Sequence, residues 1–384
     1  FSGYQWTELG IAEFLVATFR DSIAYNYDRN AWGRCVNGIW SFNDPSAMTP
    51  LYKYILNKID DGTKDRSMLA NACEKSSRIN AILSLASREI GIPVRETDFD
   101  REEHIVMCKD VAIDLRTGDT INRASAHYIS KSLPVSYNKE ATCPTFLKFL
   151  DDITVGRQEI VEFFRRWFGL CLTGDMSAQV FAIFYGTGAN GKSTLVDTIS
   201  RIMGDYAKTA PADTFTSKTY GSGIPNDLAG LRSARMVLTT ETEQNARLAE
   251  SKVKTITGGD KISARFMRGE FFEFYPSWKI IISTNHRPRI SGGDHGIWRR
   301  IILIPFEFTC PADKMDATLP KKLWEEREGI LAWMVSGAID YYKDGCGRAA
   351  LKVPELAKAA TEEYRADEDV IGRFIAEACF VGEE

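Results

Sequence analysis

Between Phe181 and Ser200 the chain reads FAIFYGTGANGKSTLVDTIS, in which Gly186-x4-Gly191-Lys192-Ser193 has the residue types and spacing that enclose a string of phosphates. Glycines let the backbone curl so that successive N–H groups from Gly186, Thr187, Gly188, Ala189, Asn190 and Gly191 converge on one anion. A helix beginning at Lys192, Ser193 and Thr194 adds positive potential at its N-terminus. Lys192 is expected to reach the β- and γ-phosphates of ATP, and the Ser193 hydroxyl to sit on Mg²⁺. The flanks agree with this reading. QVFAIFY before the loop is a short apolar run suited to a buried strand, and TLVDTISRIM after it places Leu195, Ile199 and Met203 on one helical face. The plainer alternative is a Gly-rich surface turn. At average residue frequencies the bare pattern arises by chance in roughly one chain in a hundred of this length.

Hydrolysis needs more than a phosphate cradle. A carboxylate must hold Mg²⁺ through water, and another must orient the attacking water. In ARMVLTTETE, Met236, Val237 and Leu238 make a strand, and Glu241 and Glu243 emerge near its end. Glu241, nearer the strand, is the better metal partner; the alternative is a solvated strand end. A third strand, WKIIISTN, ends in Asn285, which is suited to contact the γ-phosphate or the water, or else simply to cap the turn at His286-Arg287-Pro288. Arg299 and Arg300 precede the strand IILIPF. A guanidinium from one subunit entering a neighbour's site would stabilise charge on the transferring phosphoryl group, although either arginine also suits a structural ion pair.

From Ser251 to Gly269, Lys252, Lys254, Lys261, Arg265 and Arg268 face one acid, Asp260. ISARFM and EFFEFYP read as two strands around Arg268-Gly269, a hairpin with a basic tip that would neutralise DNA phosphates. Phe266, Phe271 and Phe272 are candidates to stack bases, with core packing expected for most of them. A solvated charged hairpin is the alternative.

The elements that must position these groups can also be read. The 384 residues are too many for one ordinary core and imply two or three domains. TELGIAEFLVATFRDS reads as a helix with Leu9, Ile11, Phe14, Leu15 and Phe19 among its apolar positions. WGRCV and IWSF flank Asn37-Gly38, a two-residue hairpin signal, and MCKDVAIDLRTGDTI predicts a second hairpin turning at Thr117-Gly118. Residues 66–90 look helical. In EIVEFFRRWFGLCLTG the aromatic face of Phe163, Phe164, Trp167 and Phe168 suits a core better than a cofactor box. From about 178 to 309 strand-like runs alternate with helices, the pattern of an α/β sheet with crossovers, and the chain beyond about 320 is helical. Net charge is −4, so any DNA contact must come from a local basic surface. The eight cysteines are scattered without a CxxC pair, which points to reduced thiols and a cytoplasmic setting rather than a zinc site. No apolar run is long enough to span a bilayer. Phe1 rather than Met opens the chain, as expected of a fragment.

Phosphate loop, Glu-Thr-Glu, basic hairpin, strand-Asn and arginine pair, in this order, resemble the superfamily 3 helicases, the viral and phage AAA+ motors. The closer similarity is to the helicase part of phage and plasmid primase–helicases, a group that includes the poxvirus-type enzymes. VAIDLRTGDT, YISKSLPVSYN, LTGDMSAQVFAIFYGTGANGKSTL, DLAGLRSARMVLTTETE, KTITGGDKISARFMRGE and KIIISTNHRPRI…GIWRRIILIPF carry the resemblance, over about 105–310 and more loosely over 1–100. It implies an α/β fold: an AAA+ P-loop core with a central parallel sheet at 151–320, preceded by an α+β accessory domain at 1–150 and followed by a helical segment at 321–384. It also implies a hexameric ring, ATP and Mg²⁺ between subunits, and movement 3′ to 5′ along single-stranded DNA at a replication fork. Carried over by position, Lys192 and Ser193 serve phosphate and Mg²⁺, and Glu241 with Glu243 serves metal and water. Asn285 is the polar sensor, Arg300 before Arg299 the trans arginine, and Arg268, with Arg265 and Lys261, the DNA contact. Where many relatives have adjacent acids, this chain has Glu-Thr-Glu, so the division of roles stays open. An upstream primase or primase-polymerase module is expected to lie outside this chain. Two other readings compete: a nucleotide-gated assembly switch that does not unwind DNA, and a small-molecule P-loop kinase that needs neither hairpin nor trans arginine.

Overall fold

The computed structural model describes residues 3–122, 128–216, 226–240, 246–265, 271–290 and 294–369. The chain forms two compact units, 1–101 with 122–131, and 102–121 with 132–384. Glu241, Glu243 and Arg268, and with them Phe266, lie outside the described residues.

In the first unit, α1 (Glu8–Phe19) starts at Thr7, whose hydroxyl accepts from Gly10 N at 3.1 Å. Strands β1 (Ile23–Asn26), β2 (Ala31–Val36) and β3 (Ile39–Ser41) follow, then helices α2 (Thr49–Ile59), α3 (Lys64–Cys73) and α4 (Ser76–Ala86), and the short β4 (Pro93–Val94). Sheet order is β3-β2-β1-β4, with β4 parallel to β1. The β2–β3 turn falls at Asn37-Gly38 as expected. Both residues have positive φ (53° and 80°), the twist that a two-residue hairpin needs. Ile11 and Leu15 of α1 pack into the core with Ile55, Ile59 and Ile82, whereas Leu9 is 48 % exposed and lies off that face.

The second unit opens with an antiparallel meander, β5 (Ile105–Met107), β6 (Ala112–Asp114) and β7 (Asp119–Ile121), turning at Gly118 as the sequence predicts. Helices α5 (Pro144–Ile153) and α6 (Gln158–Leu172) lead to β8 (Phe181–Tyr185), α7 (Lys192–Met203), β9 (Ala207–Thr209), α8 (Asn226–Ala229), β10 (Met236–Thr240) and α9 (Glu250–Gly258). The hairpin β11 (Ile262–Ala264) and β12 (Phe272–Phe274) precedes β13 (Lys279–Thr284), α10 (His295–Trp298) and β14 (Ile301–Pro305). Helices α11 (Leu319–Glu325), α12 (Arg327–Lys343), α13 (Gly347–Ala350) and α14 (Glu355–Glu368) follow.

Five strands form the central sheet in the order β14-β8-β13-β10-β9, every pair parallel. Both faces are covered, so the central strands β8, β13 and β14 carry long apolar runs. Ala182, Phe184, Ile281, Ile302 and Ile304 pack on one side with α6, α7 and α12. Phe181, Ile183, Ile280, Ile282 and Leu303 pack on the other with residues of α9, α10 and α14. Phe163, Phe164, Trp167 and Phe168 of α6 are fully buried, so that aromatic face is core. The fold is thus the expected α/β class: a P-loop core on a parallel sheet, an α+β region before it and helices after it.

Long-range polar contacts tie the layers. Glu326 caps α5 from another part of the chain, accepting from Thr145 N and Phe146 N at 2.9 Å each. The buried Arg235 guanidinium donates to backbone oxygens of Leu172 and Ile105, fastening the meander to the sheet. Helices α6 and α12 cross closely because two glycines meet there. A Cβ on Gly337 would stand 1.9 Å from Arg165 O, and one on Gly169 would stand 2.3 Å from Ala338 N. In an open helix Gly→Ala stabilises by up to about 1 kcal/mol. Here the sign should reverse, with Gly337→Ala costing about 1–3 kcal/mol by overpacking against backbone, read as a lower urea midpoint.

Candidate active site

The phosphate loop leaves β8 at a point where the strand order reverses: β9 lies at the far edge, and β13 and β14 later fill in on either side of β8. Such switch points leave a crevice beyond the carboxyl ends of the strands. Gly186 must be glycine, because a Cβ would stand 2.5 Å from Phe306 O and 2.6 Å from Asn190 Nδ2. Gly191, at φ 81°, packs on α5, where a Cβ would meet Ile153 Cγ2 at 2.4 Å. Asn190 is buried and staples the loop from within, Nδ2 donating to Thr187 O and Oδ1 accepting from Lys192 N at 3.3 Å. The first-turn N–H groups of α7 have no acceptor within the helix. They open onto a cleft of about 490 Å³ lined by Gly188–Thr194 and Ser283–Asn285.

Lys192 is 5 % exposed. Its Nζ donates to Gly186 O and, at 3.1 Å, to Asn285 Oδ1, which brings together two residues that the sequence singled out 93 positions apart. No carboxylate pairs with this ammonium among the described residues, and burial pushes its pKa down. The Ser193 side chain is exposed to the cleft. Thr240, the last residue of β10, is in register with Ser283, two residues before Asn285.

Arg299 and Arg300 sit at the other end of the sheet. Arg300 O accepts from Phe181 N at 2.8 Å, at the start of β8, whereas the phosphate loop follows its end. Five strand residues separate the two ends, about 16 Å. The two arginines differ. Arg300 is 8 % exposed, with Nη1 donating to Gly296 O at 2.7 Å and its pKa lowered by burial. Arg299 is exposed and has no acidic partner among the described residues.

The hairpin forms as two antiparallel strands, Ala264 opposite Phe272, on either side of the tip residues. Its stems are less basic than the composition suggests. Lys261 pairs with Glu273 at 2.6 Å, and Lys254 of the preceding α9 pairs with Asp294. Arg265 is exposed and lies 4.9 Å over the ring of Phe271, which is itself 58 % exposed. Phe272 stacks instead on the buried Phe274.

One part of the cleft surroundings carries no sequence motif. The α5–α6 turn, with Val155 57 % exposed at φ 56°, lies beside Phe306 and Glu307, and Arg157 is tied to Glu307 at 2.6 Å. Because Ile153 underlies Gly191 and Phe306 abuts Gly186, this apolar ledge borders the phosphate loop. Only the three-dimensional contacts reveal it.

A family model described as "D5 N terminal like" matches residues 12–155, and a second, described as a family of unknown function, matches 184–300. A protein of Acanthamoeba polyphaga mimivirus with a helicase designation is 30% identical over 225 residues, 54% of this chain and 23% of that protein. One of Frog virus 3, likewise designated a helicase, is 26% identical over 235 residues, 56% of this chain and 24% of its own length. African swine fever virus proteins designated primases are 24% identical over 128 residues, 33% of this chain and 13% of theirs. The matched stretch therefore spans about a quarter or less of these viral proteins. Among solved structures, the C-terminal region of NrS-1 superposes with a TM-score of 0.59 at 12% identity, covering 96% of this chain and 77% of that one, a likeness of fold. No helix of the described residues is long and apolar enough to cross a membrane. The phosphate-loop sheet and these matches make the chain similar to viral proteins designated helicases and primases.

Proposed function

We propose that this chain is the motor of a replicative primase–helicase of superfamily 3 type. In this reading it is an ATP hydrolase that assembles into a hexameric ring, translocates 3′ to 5′ on single-stranded DNA and unwinds the duplex ahead of it. The observation that carries the reading is the Lys192–Asn285 contact across the cleft: a buried ammonium held by two neutral oxygens, with no carboxylate partner among the described residues, at the mouth of a phosphate loop. A group in that state favours an incoming anion. The helicase and primase designations of the viral relatives supply the DNA context.

The cleft chemistry suits ATP with Mg²⁺. Loop N–H groups and Lys192 hold the phosphates, Asn285 senses the γ-phosphate end, and the exposed Val155 beside the loop offers apolar surface to the base. Ser193 and Glu241 would hold Mg²⁺, which neutralises phosphate charge when bound, with Glu243 supporting water activation. Arg299, exposed and about 16 Å from its own phosphate loop along the strands, suits service to a neighbouring subunit better than the buried Arg300. Arg268, which falls in sequence between the two hairpin strands, and the exposed Arg265 track the DNA backbone, Lys261 joins them on release from Glu273, and the exposed Phe271 stacks on a base.

Lys192→Ala is expected to abolish ATP hydrolysis; full activity in that variant would sink the site assignment. Arg299→Ala should lower kcat by about a thousandfold and leave ATP affinity intact, while Arg300→Ala should instead lower the melting temperature. Unwinding of a 3′-tailed fork tests the motor. Arg268→Ala should retain ATPase and lose unwinding, whereas wild-type ATPase unaccompanied by any unwinding would favour the assembly-switch reading.

A further inference from the structure

At the amino-terminal end of β14, away from the phosphate loop, lies a cleft of about 780 Å³. Arg299, Arg348, Lys352, Lys358 and Arg365 bring cations to its wall against a single lining carboxylate, Glu362. Three of the five are balanced locally. Lys352 pairs with Asp344 at 2.8 Å, Lys358 with Glu355 at 2.5 Å, and Arg365 with Glu362 at 3.7 Å. Arg299 and Arg348 have no carboxylate partner among the described residues, and Arg348 Nη1 donates to Arg299 O.

Arg348 is delivered to that carbonyl by an unusual turn. Gly345, Cys346 and Gly347 all have positive φ (88°, 62° and 73°), and for Cys346 that conformation is costly. The turn is pinned by Gly347 N, which donates to Tyr341 Oη at 2.8 Å and to Ser177 Oγ at 3.0 Å, while the Tyr341 hydroxyl donates to Asp175 Oδ1 at 2.8 Å. A strained, anchored turn that ends on the backbone of one exposed arginine fixes where that arginine points. Two like charges held together without a counter-ion attract an anion.

We propose that Arg348 is a positioning residue for Arg299. By gripping the Arg299 carbonyl it holds that guanidinium toward the nucleotide bound by a second copy of this chain, and the cleft receives the nucleotide-bearing edge of that copy. The inference rests on the reading of Arg299 as a trans arginine. A second copy suits the cleft better than a nucleic acid strand because the anion that Arg299 serves under that reading is a bound triphosphate.

Steady-state ATPase of the full chain tests it, using Arg348→Ala, Arg348→Lys and Arg299→Ala, each alone and mixed in equal amounts with Lys192→Ala. Arg348→Ala should lower kcat by about a hundredfold through misplacement with KM for ATP unchanged, and Arg348→Lys, which keeps a donor, should regain part of the rate. Mixing Arg348→Ala with Lys192→Ala should raise activity above the sum of the two, because a junction then pairs an intact phosphate loop with an intact arginine pair. Wild-type kcat in Arg348→Ala overturns the proposal. So does recovery in the Arg299→Ala mixture but not in the Arg348→Ala mixture, which would leave the trans arginine standing. Recovery in neither mixture removes the trans reading itself. Weakened binding of a single-stranded oligonucleotide at unchanged kcat assigns the cleft to nucleic acid instead. Should Arg348→Ala fail to fold, Arg348→Met, which keeps the aliphatic stem and removes the donor, replaces it, and wild-type kcat in that variant overturns the proposal equally.

Discussion

A lysine ammonium buried, among the described residues, against neutral oxygens is the constraint on which the rest of the P-loop unit depends. Burying charge is costly, and among the described residues Lys192 offsets that cost with neutral oxygens, Gly186 O and Asn285 Oδ1. Those oxygens are in place only if β8 and β13 are adjacent and parallel, so that the residues following Tyr185 and Thr284 leave the sheet side by side. The loop between must curl tightly enough to return the lysine to its own start, which requires the bare Cα of Gly186 beneath Phe306 and the left-handed Gly191 over Ile153. Sheet register, the α5 contact and the β14 exit are therefore fixed by one side chain's need for partners.

The helical layer answers a different demand. Arg166 of α6 is nearly buried yet lies among Glu162, Asp340 and Asp344, with Nη1 also donating to Ala350 O at 2.9 Å. The glycine crossing at Gly169 and Gly337 brings the two helix backbones close, and the ion network locks their register. This rigid pair backs the sheet face that carries Ala182 and Phe184, so the strand leading into the phosphate loop rests on a fixed support.

Local chemistry was legible in the sequence. The Asn37-Gly38 and Thr117-Gly118 turns, the phosphate loop between strand and helix, and the buried aromatic face of α6 all follow from spacing within a dozen residues. What depended on distant partners was not. Composition counted Lys254 and Lys261 as free cations, but Asp294 and Glu273 neutralise them in the fold. Arg299 and Arg300 are neighbours in sequence, yet one is exposed and the other closes onto Gly296 O, a difference set by α10 packing under the sheet. The Val155 ledge and the grip of Arg348 on Arg299 join segments 150 and 49 residues apart, respectively, and no local pattern announces either.

The paired strands β8 and β14 have a further consequence. At one end Phe181 N is bonded to Arg300 O, and at the other Phe306 N is bonded to Tyr185 O. Between them lie five residue pairs in parallel register, a strut about 16 Å long. One tip carries the phosphate loop and the other the arginine turn, so the two sites are joined by a single pair of strands. Each protomer of a ring built on such struts would act as a push-rod, with the occupancy of one junction setting the geometry of the next, and the order of firing would be a mechanical property of the sheet.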